Sequence, residues 1–245
     1  MARTNYSTYS VIKRKIIDMF RDYESGEKKL PPEAQLAEIL DVSISTLREV
    51  LVVLALEGYI TKKHGVGNFI HPSTLDIGNR SVFFADNLKS NGYTVEIQLL
   101  KQEREIPDEE IIVSLRMPRD EEMLSSTTVH LANQEVAIYT QVYIPTHLLV
   151  KDDSVINVHE YERLNEMVWR HCRRNLAHSL NDYVPVGLSQ DMADIFKLPV
   201  STPVITNRQV FYDTYDEPVM YCLNYFHPQK YKVTTLQNWA LGQTT

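Results

Sequence analysis

The sequence predicts an α+β protein in two domains: a small helical unit that carries a β-hairpin, then a larger unit built on antiparallel strands. Three observations predict it. Between Leu30 and Ile70, two short apolar-periodic stretches precede a glycine-punctuated hairpin pattern. From Tyr93 onward, strand-like runs joined by short turns alternate with helical ones, which favours antiparallel pairing. A length of 245 residues, with 43% hydrophobic and 23% charged side chains, suits a soluble chain with two ordinary cores.

The first unit reads as follows. Tyr9 to Tyr23 is a helix, with Val11, Ile12, Ile16, Met19 and Phe20 as its apolar stripe. Glu24 to Glu27 is a loop. Leu36, Ala37, Ile39 and Leu40 form the apolar face of a second helix, which stops at Asp41-Val42. Ser43 is placed to cap a third helix, its hydroxyl accepting a first-turn backbone N–H near Ser45 or Thr46. Leu47, Val50, Leu51, Leu54 and Ala55 continue that helix, and Gly58 ends it, because glycine takes the left-handed conformation without steric cost. Tyr59 to Thr61 and Asn68 to Ile70 are strands around a His64-Gly65-Val66-Gly67 turn.

Two helices in a tight turn followed by a ribbon have the shape of a winged helix. The second helix of such a pair fits a major groove, and its first turn faces base edges. Here Ile44, Ser45 and Arg48 lie off the apolar stripe, and Lys62, Lys63 and His64 sit at the ribbon tip, where a wing meets phosphates. Taken alone, the pattern equally fits a small helical subdomain with ordinary surface charge.

Residue order goes further. Leu30-Pro31, Glu33, Leu36-Ala37, Val42-Ser43, Thr46, Leu47-Arg48, Leu51, Leu54, Glu57-Gly58 and Gly65-x-Gly67-x-Phe69-Ile70 resemble, without a gap, the DNA-binding domain of the GntR family of bacterial transcription regulators. The resemblance implies a double-stranded DNA operator as partner. It implies contacts from Pro32, Glu33, Ser43, Ile44, Ser45, Thr46, Arg48, Lys62, Lys63, His64, Gly65 and Gly67. The chain departs from the family where serine, arginine and arginine are usual and Pro32, Ala34 and Ile44 stand, and where threonine is usual in the wing and Asn68 stands. Two customary arginine contacts are therefore missing, and Ile44 is suited to a thymine methyl instead.

After Ile70 the periodicity breaks. The boundaries read as a winged helix-turn-helix domain over 1–72, a linker over 73–80 and a second domain over 81–245. In the second domain we expect a short helix over Ser81–Asn91 and a strand over Tyr93–Arg104. A helix follows over Pro107–Leu115, its Asp108-Glu109-Glu110 run complementing the helix dipole. Then come a hairpin of Met123–Leu131 and Glu135–Ile144 around Asn133-Gln134, a helical turn over His147–Val150, and a helix over His159–Arg173 with Tyr161, Leu164, Met167 and Val168 inward. A strand over Leu176–Val186, a helix over Ser189–Leu198, a hairpin of Val204–Tyr212 and Pro218–Phe226, and a last strand over Tyr231–Thr235 complete the domain.

Pro203-Val204-x-x-x-Arg208, Tyr212-Asp213, Glu217-Pro218-Val219-x-Tyr221 and Tyr231, with Leu131-Ala132-Asn133-Gln134, Tyr143-Ile144-Pro145 and Tyr161-Glu162-x-Leu164 earlier, resemble the UTRA effector domain. That domain defines the HutC subfamily and has a chorismate-lyase-like fold. The resemblance implies a small-molecule effector near His130, Thr140, Tyr143, Arg208, Met220 and Tyr225. His130 stands where the family has arginine, Thr140 and Met220 where it has glutamate, and Cys222 where serine is common. A less polyhydroxylated ligand than an amino-sugar phosphate is therefore expected. The alternative is a set of plain sheet residues around a vestigial pocket.

Net charge is −7, but it is uneven: residues 1–72 carry +1 and residues 73–245 carry −8. With so weak a positive excess, the basic residues of the first domain must be concentrated on one face. Pairing two copies on a near-palindrome would double the phosphate contacts, so a homodimer is expected. Cys172 and Cys222, without Cys-x-x-Cys spacing, read as buried free thiols. The start MARTNYSTYS lacks the apolar core of a secretory signal, and no run of about 18 apolar residues occurs, so a cytoplasmic protein without a membrane span is expected.

Catalysis is not expected. The histidines at 130, 147, 159, 171, 178 and 227 lack metal-ligand spacing, and neither a phosphate loop nor a nucleophile elbow occurs, so no cofactor or metal is expected. Arg170-His171-Cys172-Arg173-Arg174 reads as a solvated helix end that complements the dipole, or alternatively as a grip on an anionic effector. The expected function is a transcription regulator, in the first instance a repressor, gated by an effector. The alternatives are a constitutive DNA-binding protein and a lyase-like enzyme.

Overall fold

In the computed structural model, the described residues are 8–20, 28–71, 74, 84–150 and 164–236. The expected linker (apart from Thr74), the loop over Glu24–Glu27 and the positions Ser81 to Phe83 and Tyr161 lie outside them. The chain divides into two units, one of residues 1–83 with 233–245 and one of residues 84–232.

In the first unit, α1 (Thr8–Phe20), α2 (Glu33–Leu40) and α3 (Ile44–Leu56) enclose a core of Ile12, Ile16, Ile17, Phe20, Leu36, Leu40, Leu47, Leu51 and Leu54. Complete burial of such a side chain stabilises by about 1.5–3 kcal/mol, so these few residues dominate the unit's stability. Ile39 is not in that core; it is 52% exposed. The buried positions 36, 37 and 40 define the stripe, and Ile39 lies roughly a third of a turn off it. Val11 and Met19 are likewise exposed, and Ile17 is buried instead. Asp41, at φ 55°, closes α2. The Ser43 hydroxyl caps α3 by accepting the Thr46 N–H at 3.1 Å. Gly58, at φ 82°, follows as the left-handed C′ residue. The wing strands β2 (Ile60–Lys63) and β3 (Gly67–Ile70) are joined by β1 (Lys28–Lys29), which the sequence reading missed, in the order β1-β3-β2.

The second unit is one antiparallel sheet of β4 (Val95–Glu105), β5 (Met123–Ala132), β6 (Glu135–Pro145), β7 (Leu176–Gly187), β8 (Pro203–Asp213) and β9 (Pro218–Phe226), in the order β4-β5-β6-β9-β8-β7. The helices are α4 (Phe84–Ser90), α5 (Glu109–Ser114), α6 (Leu164–Cys172) and α7 (Gln190–Phe196), with a 3-10 turn at Thr146–Leu148. Residues 231–235 form no strand. Tyr231 stacks on Phe226 at 4.5 Å instead, its aromatic surface buried against the sheet's end rather than its backbone paired at an edge.

Both central hairpins are locked by side chains. Asn133 and Gln134 turn β5 into β6 at positive φ, and the Asn133 carboxamide oxygen accepts the Thr94 N–H at 2.9 Å. The buried Asp213 accepts the N–H groups of Tyr215 (2.8 Å) and Glu217 (3.1 Å) in the β8–β9 turn, and its other oxygen meets Arg174 at 3.1 Å. The arginine run is thereby absorbed: Arg170 reaches Glu166, Arg173 lies over Trp169 and Arg174 holds Asp213.

Alternation decides which strand residues meet which helix. One face (Leu124, Val142, Ile144, Met220, Cys222) packs on Met167 and Val168 of α6. On the opposite face, Tyr143 and Tyr221 pack under Ile111 and Ile112 of α5, and Val204 and Tyr225 pack under Ala193 and Phe196 of α7. The margins of the sheet are irregular. β4 slips register between Leu99 and Lys101 and carries Glu96, Lys101, Glu103, Arg104 and Glu105; β7 slips between Leu176 and His178 and contains Pro185.

Candidate nucleic-acid interface and effector faces

The exposed turn of α3 and the wing are tied together by one carboxylate. Glu33, in the first turn of α2, takes Arg48 Nε on one oxygen at 2.7 Å and has Lys62 Nζ 4.0 Å from the other. The Asn68 carboxamide also donates to it. The bond from Arg48, with Lys62 nearby, holds the Glu33 carboxyl below the usual carboxylate range, against a smaller opposing effect of burial. Arg48 and Lys62, fifteen and twenty-nine residues away in sequence, therefore share a face.

Around this cluster, Pro32, Ser43, Ile44, Ser45, His64 and Gly65 are exposed, and Thr46 and Gly67 partly so. The Ser43 hydroxyl is also 2.9 Å from that of Ser45 and 2.7 Å from that of Thr46, which fixes the turn that α3 presents. Lys63 Nζ lies 4.6 Å from the Phe69 ring centre, so its ammonium is kept along the wing. Gly67 has φ 131°, and a Cβ there would come within 3.1 Å of Lys29 Cε, so glycine lets β1 and the wing tip approach. Behind the interface, Glu57 at the end of α3 accepts from Tyr9 (2.8 Å) and Lys13 (2.6 Å), which pins α1 to α3.

Lys29 and Asn68 were not among the expected interface residues. Asn68 carried a signal in its departure from the family's threonine; Lys29, in a loop-like stretch, carried none.

The six candidate effector residues divide between the two faces of the second-domain sheet. His130, Thr140 and Met220 lie on the α6 side. Met220 is fully buried there, Thr140 donates to Asn224 at 2.9 Å, and His130 meets the Phe84 ring edge-on at 5.9 Å. Tyr143, Arg208 and Tyr225 lie on the other side, where Tyr143 and Tyr221 meet edge to face at 6.4 Å. Arg208 forms an ion pair with Glu110 of α5 at 2.7 Å. Among the described residues no group of three His, Cys, Asp or Glu side chains could hold a metal, and no helix is long and apolar enough to cross a membrane.

A winged helix-turn-helix followed by a six-stranded α+β domain is the build of a bacterial DNA-binding regulator with an appended sensor domain. Residues 8–70 match the model of the gntR family of bacterial regulatory proteins and residues 90–232 match that of the UTRA domain; the chain belongs to the GntR family, in its UTRA-bearing branch. It is similar to the HTH-type transcriptional regulator Rv0792c of Mycobacterium tuberculosis, with 21% identity over 83% of this chain and 76% of that protein. In fold it resembles YydK of Bacillus subtilis, with TM-score 0.73 and 16% identity over 94% of this chain and 99% of that one. It also resembles the ligand-binding domain of a GntR-family protein from Bordetella bronchiseptica, with TM-score 0.52 and 13% identity over 59% of this chain and 91% of that one. The protein is a DNA-binding transcription regulator and not an enzyme.

Proposed function

We propose that two copies of this chain bind a near-palindromic operator in the cytoplasm, acting as a repressor, and that a small molecule in the second domain sets the affinity. The observation that carries the DNA-binding side is the Glu33 cluster, which puts Arg48 of α3 and Lys62 of the wing on one face. A base-reading arginine beside a phosphate-gripping lysine is what a winged helix needs to combine sequence readout with affinity. Dimeric readers place their recognition helices one helical turn of DNA apart, about 34 Å, so the half-sites should be spaced accordingly.

The sensor side is supported by the UTRA match and by the fold shared with a domain named as ligand-binding. An effector can release the operator only through its differential affinity for two arrangements of the protein. Selecting bound duplexes from a random pool tests the reading directly. A two-fold sequence pattern, with two chains per duplex by light scattering, is expected; a single half-site bound by one chain would refute the dimer. Operator-duplex anisotropy followed against a metabolite panel tests the sensor, and release by none of them would favour the constitutive alternative.

A further inference from the structure

The sheet face under α5 contains a cleft of about 530 Å³, within the range of small-molecule sites. Its floor is set by strand register: Asp182 of β7 stands opposite Arg208 of β8, which stands opposite Leu223 of β9. Glu110 of α5 reaches over this floor. Its Oε1 takes Arg208 at 2.7 Å and the Tyr221 hydroxyl at 3.3 Å. The walls are Tyr212 and Tyr221 with apolar Leu180, Val184 and Val210. Tyr212 is held flat by His178, which stacks on it at 5.0 Å and 7°. A smaller recess shares Glu110, Arg208 and Tyr221 and adds Asp108 and Tyr225.

The charges of the cleft do not cancel. Among the described residues Arg208 is the one cation that lines it; Glu110 and Asp182 are two carboxylates, and Asp108 adds a third in the recess. Arg116 lies 5.9 Å from the Tyr212 ring, outside the lining. Arg208 compensates one carboxylate and is already engaged, so a phosphate or carboxylate ligand would meet an occupied guanidinium amid negative charge. An ammonium meets the reverse: a second carboxylate, Asp182, beside the one that Arg208 already holds. Burial together with the Glu110 charge raises the pKa of the Tyr221 hydroxyl, so it remains a neutral donor and adds no negative charge of its own.

We propose that this cleft binds a small organic cation, an amine on an aromatic or apolar body, with its ammonium against Glu110 and Asp182 and its body between the tyrosines. The site deepens the reading that the second domain takes a small molecule and rests on it for its regulatory meaning. The test is calorimetric titration of the full chain with phenethylamine, tyramine and tryptamine, and with 3-phenylpropanoate as an anion of similar shape. Glu110→Gln with Asp182→Asn is the decisive variant. Both side chains are exposed, so the fold is retained, and the cleft charge becomes positive with Arg208 unpaired.

Saturable binding of at least one amine, with the anion silent, is expected. In the double variant the amine should weaken about tenfold or more, the scale of a lost charge-assisted hydrogen bond, and the anion should begin to bind. Failure of all three amines to bind, or amine affinity unchanged in the double variant, would overturn the site. Operator release is read separately. Amine binding that leaves the operator bound keeps the site and refutes its role as sensor; release by other metabolites with no amine binding keeps the sensor and refutes this site.

Discussion

Replacing Arg48 with alanine separates base reading from general attraction to DNA. The Arg48 side chain is 65% exposed and lies outside the core, so the substitution should leave folding intact. A paired contact of arginine to a guanine edge is worth about 1–3 kcal/mol. To reach a base, Arg48 must share or surrender its bond to Glu33, and an exposed pair of this kind contributes about 0.2–1 kcal/mol. The net loss expected for Arg48→Ala on the operator is therefore about 1–2 kcal/mol, or about 5- to 30-fold in Kd. On a scrambled duplex only one nearby charge is lost, and the change should be much smaller. Fluorescence anisotropy with a selected operator and its scrambled counterpart, at two salt concentrations, measures both. Glu33→Gln is the companion: it releases Arg48 and removes a negative charge beside the DNA, so both duplexes should bind more tightly. Equal weakening on operator and scrambled DNA by Arg48→Ala would refute the assignment of α3 as the reading helix.

Three further outcomes are expected. Lys63→Ala should weaken every duplex alike and reduce the slope of log K against log salt by about 1, measured by the same anisotropy titration. Because the folded Glu33 carboxyl titrates below its unfolded value, its cluster contributes stability that is complete above the ordinary carboxylate pKa and is lost as pH falls through the depressed one. A carbon-detected NMR titration of Glu33 should therefore place its midpoint below that of an exposed glutamate, and Arg48→Ala should move it up. Burial pushes the Cys172 thiol up to about 11 and the Cys222 thiol up to about 12, so neither should react with Ellman's reagent at pH 8 in the native protein, and both should react in guanidinium.

What could be read in advance follows from what each residue signals locally. Ser43, Gly58 and the Leu47–Leu54 stripe are local signals, and α3 is where they put it. Ile39, Val11 and Met19 were read as core and Ile17 was not, because an apolar side chain announces hydrophobicity but not the azimuth of its helix. For the effector candidates the difficulty was parity. Positions 140 and 143 sit three apart on one strand and so face opposite ways, and the register that carries them across to Asn224 and Tyr221 is a tertiary fact. Glu110 was legible only as a helix-dipole residue. Its meeting with Arg208, 98 positions along the chain, depends on how α5 lies over the sheet.

The two margins of the six-stranded sheet have a consequence for the protein's life in a crowded solution. An open strand with unpaired N–H and C=O groups is a template on which any passing extended chain can add. On one margin the register slip at Leu99/Lys101 and the flanking charges interrupt that template; on the other the slip at Leu176/His178 and the missing N–H of Pro185 do the same. The domain can thus keep both edges open to water without offering either as a seed for aggregation. Straightening them, by deleting the extra residue of the β4 bulge and replacing Pro185, would create a hazard that no inspection of its core would reveal.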